Sequence, residues 1–359
     1  MPVFKYGLGI FTSAQGLQLD ALNPLSQPQL TITASPAVEV LSMQQATQAY
    51  PELIREAFQL IEKKNKLVAF HQAFFNHLTV IRIPKGTTGN RIELHLNLLA
   101  TTFLDYLIII AEPNVEATIL ETSTSSTSSS KEQHFRSQIL FLNAGENAKL
   151  QYFSIQDLHP EAYQCNYRYA TLAAQCSLHW VDCQLGSKFT QSSTLTHLQG
   201  IGSTSTTQGM VFADQQQTFD MDVATKHAAD QSTSDMLTKL ALNHRAKAVY
   251  RGLVKIHPHA RNCQGYQRNE TILLSKEAQS NAVPNLEIEN NEVRCTHAAI
   301  MNNIDEDKLF YMTSRGINEA TAKKSIVEGF FQPIIEKIPS EAWQEHIQNS
   351  ITKRLGALQ

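Results

Sequence analysis

Cys295 and His297 stand two positions apart in NEVRCTHAAI (291–300), and their types and spacing suit metal chemistry. Thiolate and imidazole together fit iron–sulfur chemistry or zinc. On a strand, positions two apart share one face with Cα atoms about 6.6 Å apart. Both side chains then reach one metal centre, or neighbouring atoms of one cluster. Two ligands are too few for a closed site, so the remainder would come from another segment or another chain. The competing reading is a buried thiol beside a hydrogen-bonding histidine, because cysteine is among the most buried residue types.

The other candidates carry less. His257 and His259 in IHPHA flank a proline, which suggests an exposed turn rather than a chelate. Asp220 and Asp222 in DQQQTFDMD (214–222) share a strand face and read as surface carboxylates, since no cleft is signalled around them. Cys165, Cys176 and Cys183 lack the C-x₂-C spacing of structural zinc and read as small buried hydrophobes. GINEATAKKS (316–325) has lysines but Thr321 where a P-loop needs its second glycine, so no nucleotide is expected on this chain. GIGSTSTTQG (200–209) lacks the strand–turn–helix setting of a nucleophile elbow. No catalytic motif of its own emerges.

The elements around these residues divide by periodicity. Between Ser42 and Asn65, Leu53, Ile54, Ala57, Phe58, Leu60 and Ile61 recur at helical intervals, with Pro51 near a helix start. From Asp305 onward the pattern is helical again. Gly316 fits a left-handed C-terminal cap and Asn318 an N-cap; the next apolar face runs Ala322, Ile326, Val327, Phe330. Pro333 and Pro339 read as breaks, and Ser340 opens a last helix carrying Trp343, Ile347 and Ile351. Phe330, Phe331, Ile334 and Ile335, crowded together, suggest apolar surface to spare for a partner.

The region between alternates in short runs such as RIELHLNL (91–98), SLHWVDCQL (177–185) and YRGLVKI (250–256). Helical intervals long enough for βαβ crossovers are missing, which argues against a doubly wound sheet. Periodicity leaves a sandwich, a barrel or a β-solenoid, and no strict repeat decides among them. TSTSSTSSSKEQ (122–133) reads as a solvated low-complexity loop.

LEIENNEVRCTHAA (286–299), followed by LFYMTSRGINEATAKKSIVEGF (309–330), strongly resembles the C-terminal signature of the SufB/SufD family of iron–sulfur cluster assembly scaffolds. The likeness extends back through NETILLSKEAQSNAVPNLEIE (269–289) and YRGLVKI, and is thinner in FHQAFFNHLTVIRIPKGT (70–87). It implies a mainly β fold: a right-handed parallel β-helix flanked by helical regions. The expected layout is an N-terminal helical region leading into the core (1–84), a β-helix core (85–303) and a C-terminal helical domain (304–359). YQRNETILL (266–274) lacks the scaffold cysteine of SufB-type chains, and C-x-H is the SufD form, so the SufD branch is the expected one. The resemblance further implies a SufB-type partner along the β-helix and a SufC-type ATPase on the C-terminal helices. His297 matches a histidine proposed to bind nascent cluster or iron between partners, and Cys295 the adjacent cysteine. A homodimer in isolation is left open by the sequence.

Composition is consistent with this and excludes other classes. A net charge of −3 with 18% charged residues gives no electrostatic footprint for nucleic acid. LHLNLLATTFLDYLIIIA (94–111) is interrupted by His95, Asn97 and Asp105, so it reads as buried strands and not as a membrane span. The start MPVFKYGLGIFTSAQG lacks an export pattern, so five reduced cysteines and a cytoplasmic setting are expected. Two further classes remain open: an exported-type polysaccharide-active β-helix enzyme, which needs a cluster of acidic or basic groups on the solenoid face and normally an export signal, and a self-associating structural solenoid homodimer with Cys295 and His297 in its core.

Overall fold

The structure is a computed structural model that describes residues 3–6, 10–14, 16–22, 29–59, 66–98, 102–125 and 133–356. The N-terminal part supplies β1 (Val3–Tyr6) and β2 (Ile10–Ser13), which pair antiparallel, then β3 (Gln29–Ala34) and β4 (Glu39–Leu41). Three helices follow: α1 (Met43–Ala49), α2 (Pro51–Gln59) and α3 (Lys66–Phe74). Leu60 and Ile61, expected on the helical face, lie outside the described residues.

Sixteen strands then run without an intervening helix. They are β5 (His77–Ile83), β6 (Asn90–Asn97), β7 (Thr102–Ala111), β8 (Glu116–Thr124), β9 (Phe135–Ala144), β10 (Lys149–Asp157), β11 (Tyr163–Leu172) and β12 (Ser177–Gln184). After them come β13 (Phe189–Leu198), β14 (Thr204–Ala213), β15 (Thr218–His227), β16 (Thr233–Leu242), β17 (Lys247–Ile256), β18 (Cys263–Leu273), β19 (Gln279–Ile288) and β20 (Val293–Asn303). Each strand from β5 to β18 pairs in parallel with the strand two places on, so the eight even and eight odd strands, with β3 and β4 added at one end, build two opposed nine-stranded sheets among the described residues. This is a parallel β-solenoid of about seven turns. The sandwich and barrel readings fall away. LHLNLLATTFLDYLIIIA supplies parts of β6 and β7, as expected of buried strands. Of the Ser/Thr-rich stretch, residues 122–124 belong to β8, and 126–132 lie outside the described residues.

The register explains why no repeat is visible in the sequence. One inward-facing ladder runs Ile92, Ile119, Tyr152, Trp180, Thr207, Met236, Gln267 and ends on His297. Its steps vary from 27 residues (Ile92 to Ile119) to 33 (Ile119 to Tyr152), because the turns differ in length. Residue types along it drift from aliphatic to aromatic to polar. A solenoid needs only that each inward position find a compatible neighbour in the next coil.

The two ends of the solenoid differ. At the first, β3 and β4 add antiparallel to β6 and β5 and cover both sheet edges. At the last, β19 and β20 have no further strand beside them, and most of their residues are exposed. The outer faces are covered by helices. Helices α1 and α2 place Ala46, Ile54 and Ala57 against Val80, Ile108 and Phe141 of the odd-numbered sheet. On the even-numbered sheet lie α5 (Glu319–Ile335) and α6 (Glu341–Gly356), preceded by α4 (Glu306–Ser314).

Local sequence sets these helix ends. The Asp305 carboxylate accepts from Lys308 N at 3.0 Å, and Asn318 Oδ1 accepts from Thr321 N at 2.8 Å. After α4, Gly316 takes φ +87°; its N–H reaches Thr313 O and that of Ile317 reaches Met312 O. That pair of bonds is a Schellman stop, which needs glycine's left-handed freedom. Pro333 does not break α5 as expected but sits inside it. It lies in the last turn, so the one backbone bond its missing N–H removes falls close to the helix end.

Candidate functional site at the open end of the solenoid

β20 aligns Cys295 with Gly265 and His297 with Gln267 on β18. The strand thus brings the two predicted residues onto one face, the face that continues the solenoid's inward ladders. Gly265 matters here: a Cβ in its place would stand 3.3 Å from the Cys295 sulfur. Cys295 is half-buried against an apolar cluster that includes Met236, Val254, Ile256 and Cys263. Burial pushes its thiol up, a backbone N–H from Gly265 works against that, and nearby Cys263 adds to it. Such a thiol keeps its proton at neutral pH until a metal competes for the sulfur. His297 is exposed. The pair is two donors at an open rim, and among the described residues no three His, Cys, Asp or Glu side chains are grouped to hold a metal ion.

The remaining cysteines are buried, as their spacing suggested: Cys165, Cys176, Cys183 and also Cys263. His257 lies 6.4 Å from His197 and 5.9 Å from His259, centroid to centroid. The first pair is stacked at 30°, and His259 Nε2 donates to Ala228 O. Stacked faces do not converge their nitrogens on one point.

Two groups were misjudged or missed in the sequence. Asp220 is not a surface carboxylate; it is fully buried, accepts from Arg251 at 2.6 Å and from the Thr12 hydroxyl, and the segment around β2 covers it. A covering strand from two hundred residues away leaves no local trace. Inside the solenoid, buried Asp105, Glu121, Arg136 and Arg168 and half-buried Asp182 form a charge chain. Glu121 accepts from Arg136 and, at 2.7 Å, from Tyr152 Oη; Arg168 lies 2.9 Å from Asp182. Three carboxyls face two guanidiniums, and the excess falls on Asp105, which burial pushes up to about 6 against the pull of Arg136. The signal was present: in TFLDYLIIIA, Asp105 alternates in phase with Phe103 and Leu107, the inward positions.

The C-terminal helices also differ from expectation. Phe331, Ile334 and Ile335 are buried against Phe153, Val181 and Met210 of the even-numbered sheet, and Phe330 lies under Lys239 Nζ at 4.4 Å. They cover the solenoid and are not spare surface. The outward apolar groups are on α4, which buries no residue: Phe310 is 74% exposed and Tyr311 57%. Among the described residues no helix is long and apolar enough to cross a membrane.

The family model described as "SUF system FeS cluster assembly, SufBD core domain" matches residues 96–330. A protein of Staphylococcus epidermidis named "Iron-sulfur cluster assembly SufBD family protein" is 27% identical over 295 residues, covering 81% of this chain and 63% of its own length. Family proteins of Staphylococcus saprophyticus and Staphylococcus aureus are each 26% identical, over 295 and 301 residues, covering 81% and 82% of this chain. The chain spans about 63–64% of the length of these relatives.

Proposed function

Because the chain belongs to the SufBD family of iron–sulfur cluster assembly proteins, we propose that it serves there as a SufD-type scaffold subunit without catalysis of its own. The observation that carries this reading is the open end: two adjacent unpaired strand edges, with Cys295 and His297 on one of them. A long exposed edge is a template for strand addition, and natural proteins normally cover or break it. β20 carries one charged residue, Arg294, and no proline, so little on it opposes pairing.

A SufB-type partner adding its own strands there would enclose Cys295 and His297 with ligands of its own. The nascent cluster, or iron on its way to one, is then cargo held between subunits. The SufD branch is favoured over SufB because residues 266–274 contain no cysteine. A SufC-type ATPase is assigned to the C-terminal helices, with α4 as its most exposed apolar element. ATP-driven movement of α4 would act on β20 directly, since only Ile304 and Asp305 separate them.

The test is co-expression with a SufB-type and a SufC-type protein, wild-type against Thr296→Lys with Ala298→Lys on the edge strand. The double variant should keep its own thermal stability and lose co-purification of the SufB-type partner. Retention of that partner would place the interface elsewhere.

A further inference from the structure

A second feature lies far from β20, on the column of turns that joins even strands to odd ones. There the turns after β10, β12, β14, β16 and β18 stack into an open groove of about 860 Å³, lined by Lys188, His244, Arg245, Lys276, Glu161 and Glu277 among others. His244 sits at φ +49°, a left-handed position. Gln215 fills the matching place one coil earlier, at φ +54°. Stacked solenoid turns need a residue that tolerates this conformation, and a short amide serves as well as an imidazole.

The imidazole has a specific setting. Its Nδ1 lies 2.5 Å from Oδ1 of Asp214, a buried carboxylate at the root of the preceding turn. Asn243 Nδ2 already donates to the same oxygen at 3.1 Å, so Asp214 does not need the histidine for a partner. Bonding Nδ1–H to Asp214 fixes the tautomer and turns Nε2 outward as the free nitrogen. The backbone beneath is pinned as well, because Ser275 Oγ donates to His244 O.

Around this nitrogen the charge is unevenly matched. Lys188 pairs with Glu161 at 2.8 Å and Arg245 with Glu277 at 2.5 Å. Lys276, exposed on the rim, has no ion-pair partner among the described residues. The exposed glutamates hold their cations only through solvent-screened pairs, which a more highly charged anion displaces. A phosphate group would offset Lys276 with its charge and present a P–OH to the Nε2 lone pair.

We propose that this groove binds a phosphate-bearing small molecule, with His244, oriented by Asp214, and Lys276 as its principal contacts. The site is independent of the cluster-assembly reading and of the open end of the solenoid.

The experiment titrates pyrophosphate, inorganic phosphate and citrate into the full chain at constant ionic strength. Calorimetry is combined with nuclear magnetic resonance of labelled histidine side chains. His244→Gln reproduces the residue type at position 215, and Lys276→Gln alters an exposed side chain, so both variants keep the fold. Saturable one-to-one pyrophosphate binding that shifts the His244 signal, weakened roughly tenfold or more by each variant, is the expected result. Absence of saturation, or equal affinity in the wild type and either variant, overturns the site. Citrate binding as tightly as pyrophosphate, with the same dependence on Lys276, overturns the phosphate assignment.

Discussion

Asp157→Asn removes the charge that fastens α6 to the solenoid. Asp157, at the end of β10, accepts from Arg354 at 2.6 Å and from Ser350 Oγ at 2.7 Å, and lies 3.3 Å from His346 Nε2. Burial works against its ionisation, but His346, Arg354 and Ser350 outweigh it and hold the carboxyl at about 2, against 3.8 for a free aspartate. That displacement corresponds to about 2–3 kcal/mol. A depressed carboxyl contributes in full above its unfolded value, so the stabilisation is present from about pH 5 upward and disappears as pH falls through 2. At pH 3 roughly half should remain. Asparagine keeps the Ser350 bond and loses the charge. Solenoids with docked helices need not unfold in one step, so the assay is local: hydrogen exchange of α6 amides in wild type and variant. Protection in α6 should fall by about 2–3 kcal/mol at pH 7 and by about half that at pH 3. Equal protection at pH 7, or a gap that does not shrink at pH 3, refutes the reasoning.

Asp105→Asn should act in the opposite sense. A carboxyl raised from 3.8 to about 6 favours the fold below pH 3.8 and loses that contribution as pH rises through 6. The neutral amide should therefore stabilise the solenoid around β7 by about 3 kcal/mol at pH 7.5 and leave it unchanged near pH 3.5, measured by hydrogen exchange of the β7 amides. Destabilisation at pH 7.5 would show that the carboxylate is needed as a counter-ion for Arg136. Phe310→Glu with Tyr311→Glu should leave thermal unfolding within about 0.5 kcal/mol of wild type, because α4 buries nothing. The same pair should cost at least about tenfold in affinity for the ATPase partner by calorimetry; undiminished affinity would move the docking site off α4.

Local chemistry was readable in the sequence wherever a few neighbouring residues decide the structure. Gly316 and the N-cap Asn318 set their helix ends through bonds within one turn. Cys295 and His297 fell on one face because strand alternation is a period of two. Pairing between coils was not readable from periodicity. Trp180 lies beside Tyr152 and Thr207, residues of unlike character at unequal spacing, and nothing in either segment announces the other. The resemblance at 286–330, and not the alternation, pointed to the solenoid. Burial imposed from a distance was equally hidden. Asp220 reads as a surface acid until the segment around β2 covers it, and Phe331 reads as a partner-seeking residue until the even-numbered sheet claims it. The reverse holds for α4, whose Phe310 and Tyr311 stand in solvent with nothing in the local sequence to set them apart.

In the proposed role, the open end of the solenoid would hold assembly cargo through His297, with Cys295 beside it. The most direct measurement is iron and acid-labile sulfide per complex after anaerobic co-purification with SufB-type and SufC-type partners. Wild type, His297→Ala and Cys295→Ser are compared. His297→Ala should leave subunit stoichiometry intact and lower cluster content several-fold, with a smaller loss for Cys295→Ser, whose hydroxyl keeps the size but not the thiolate. Wild-type iron and sulfide in an intact His297→Ala complex would contradict the account.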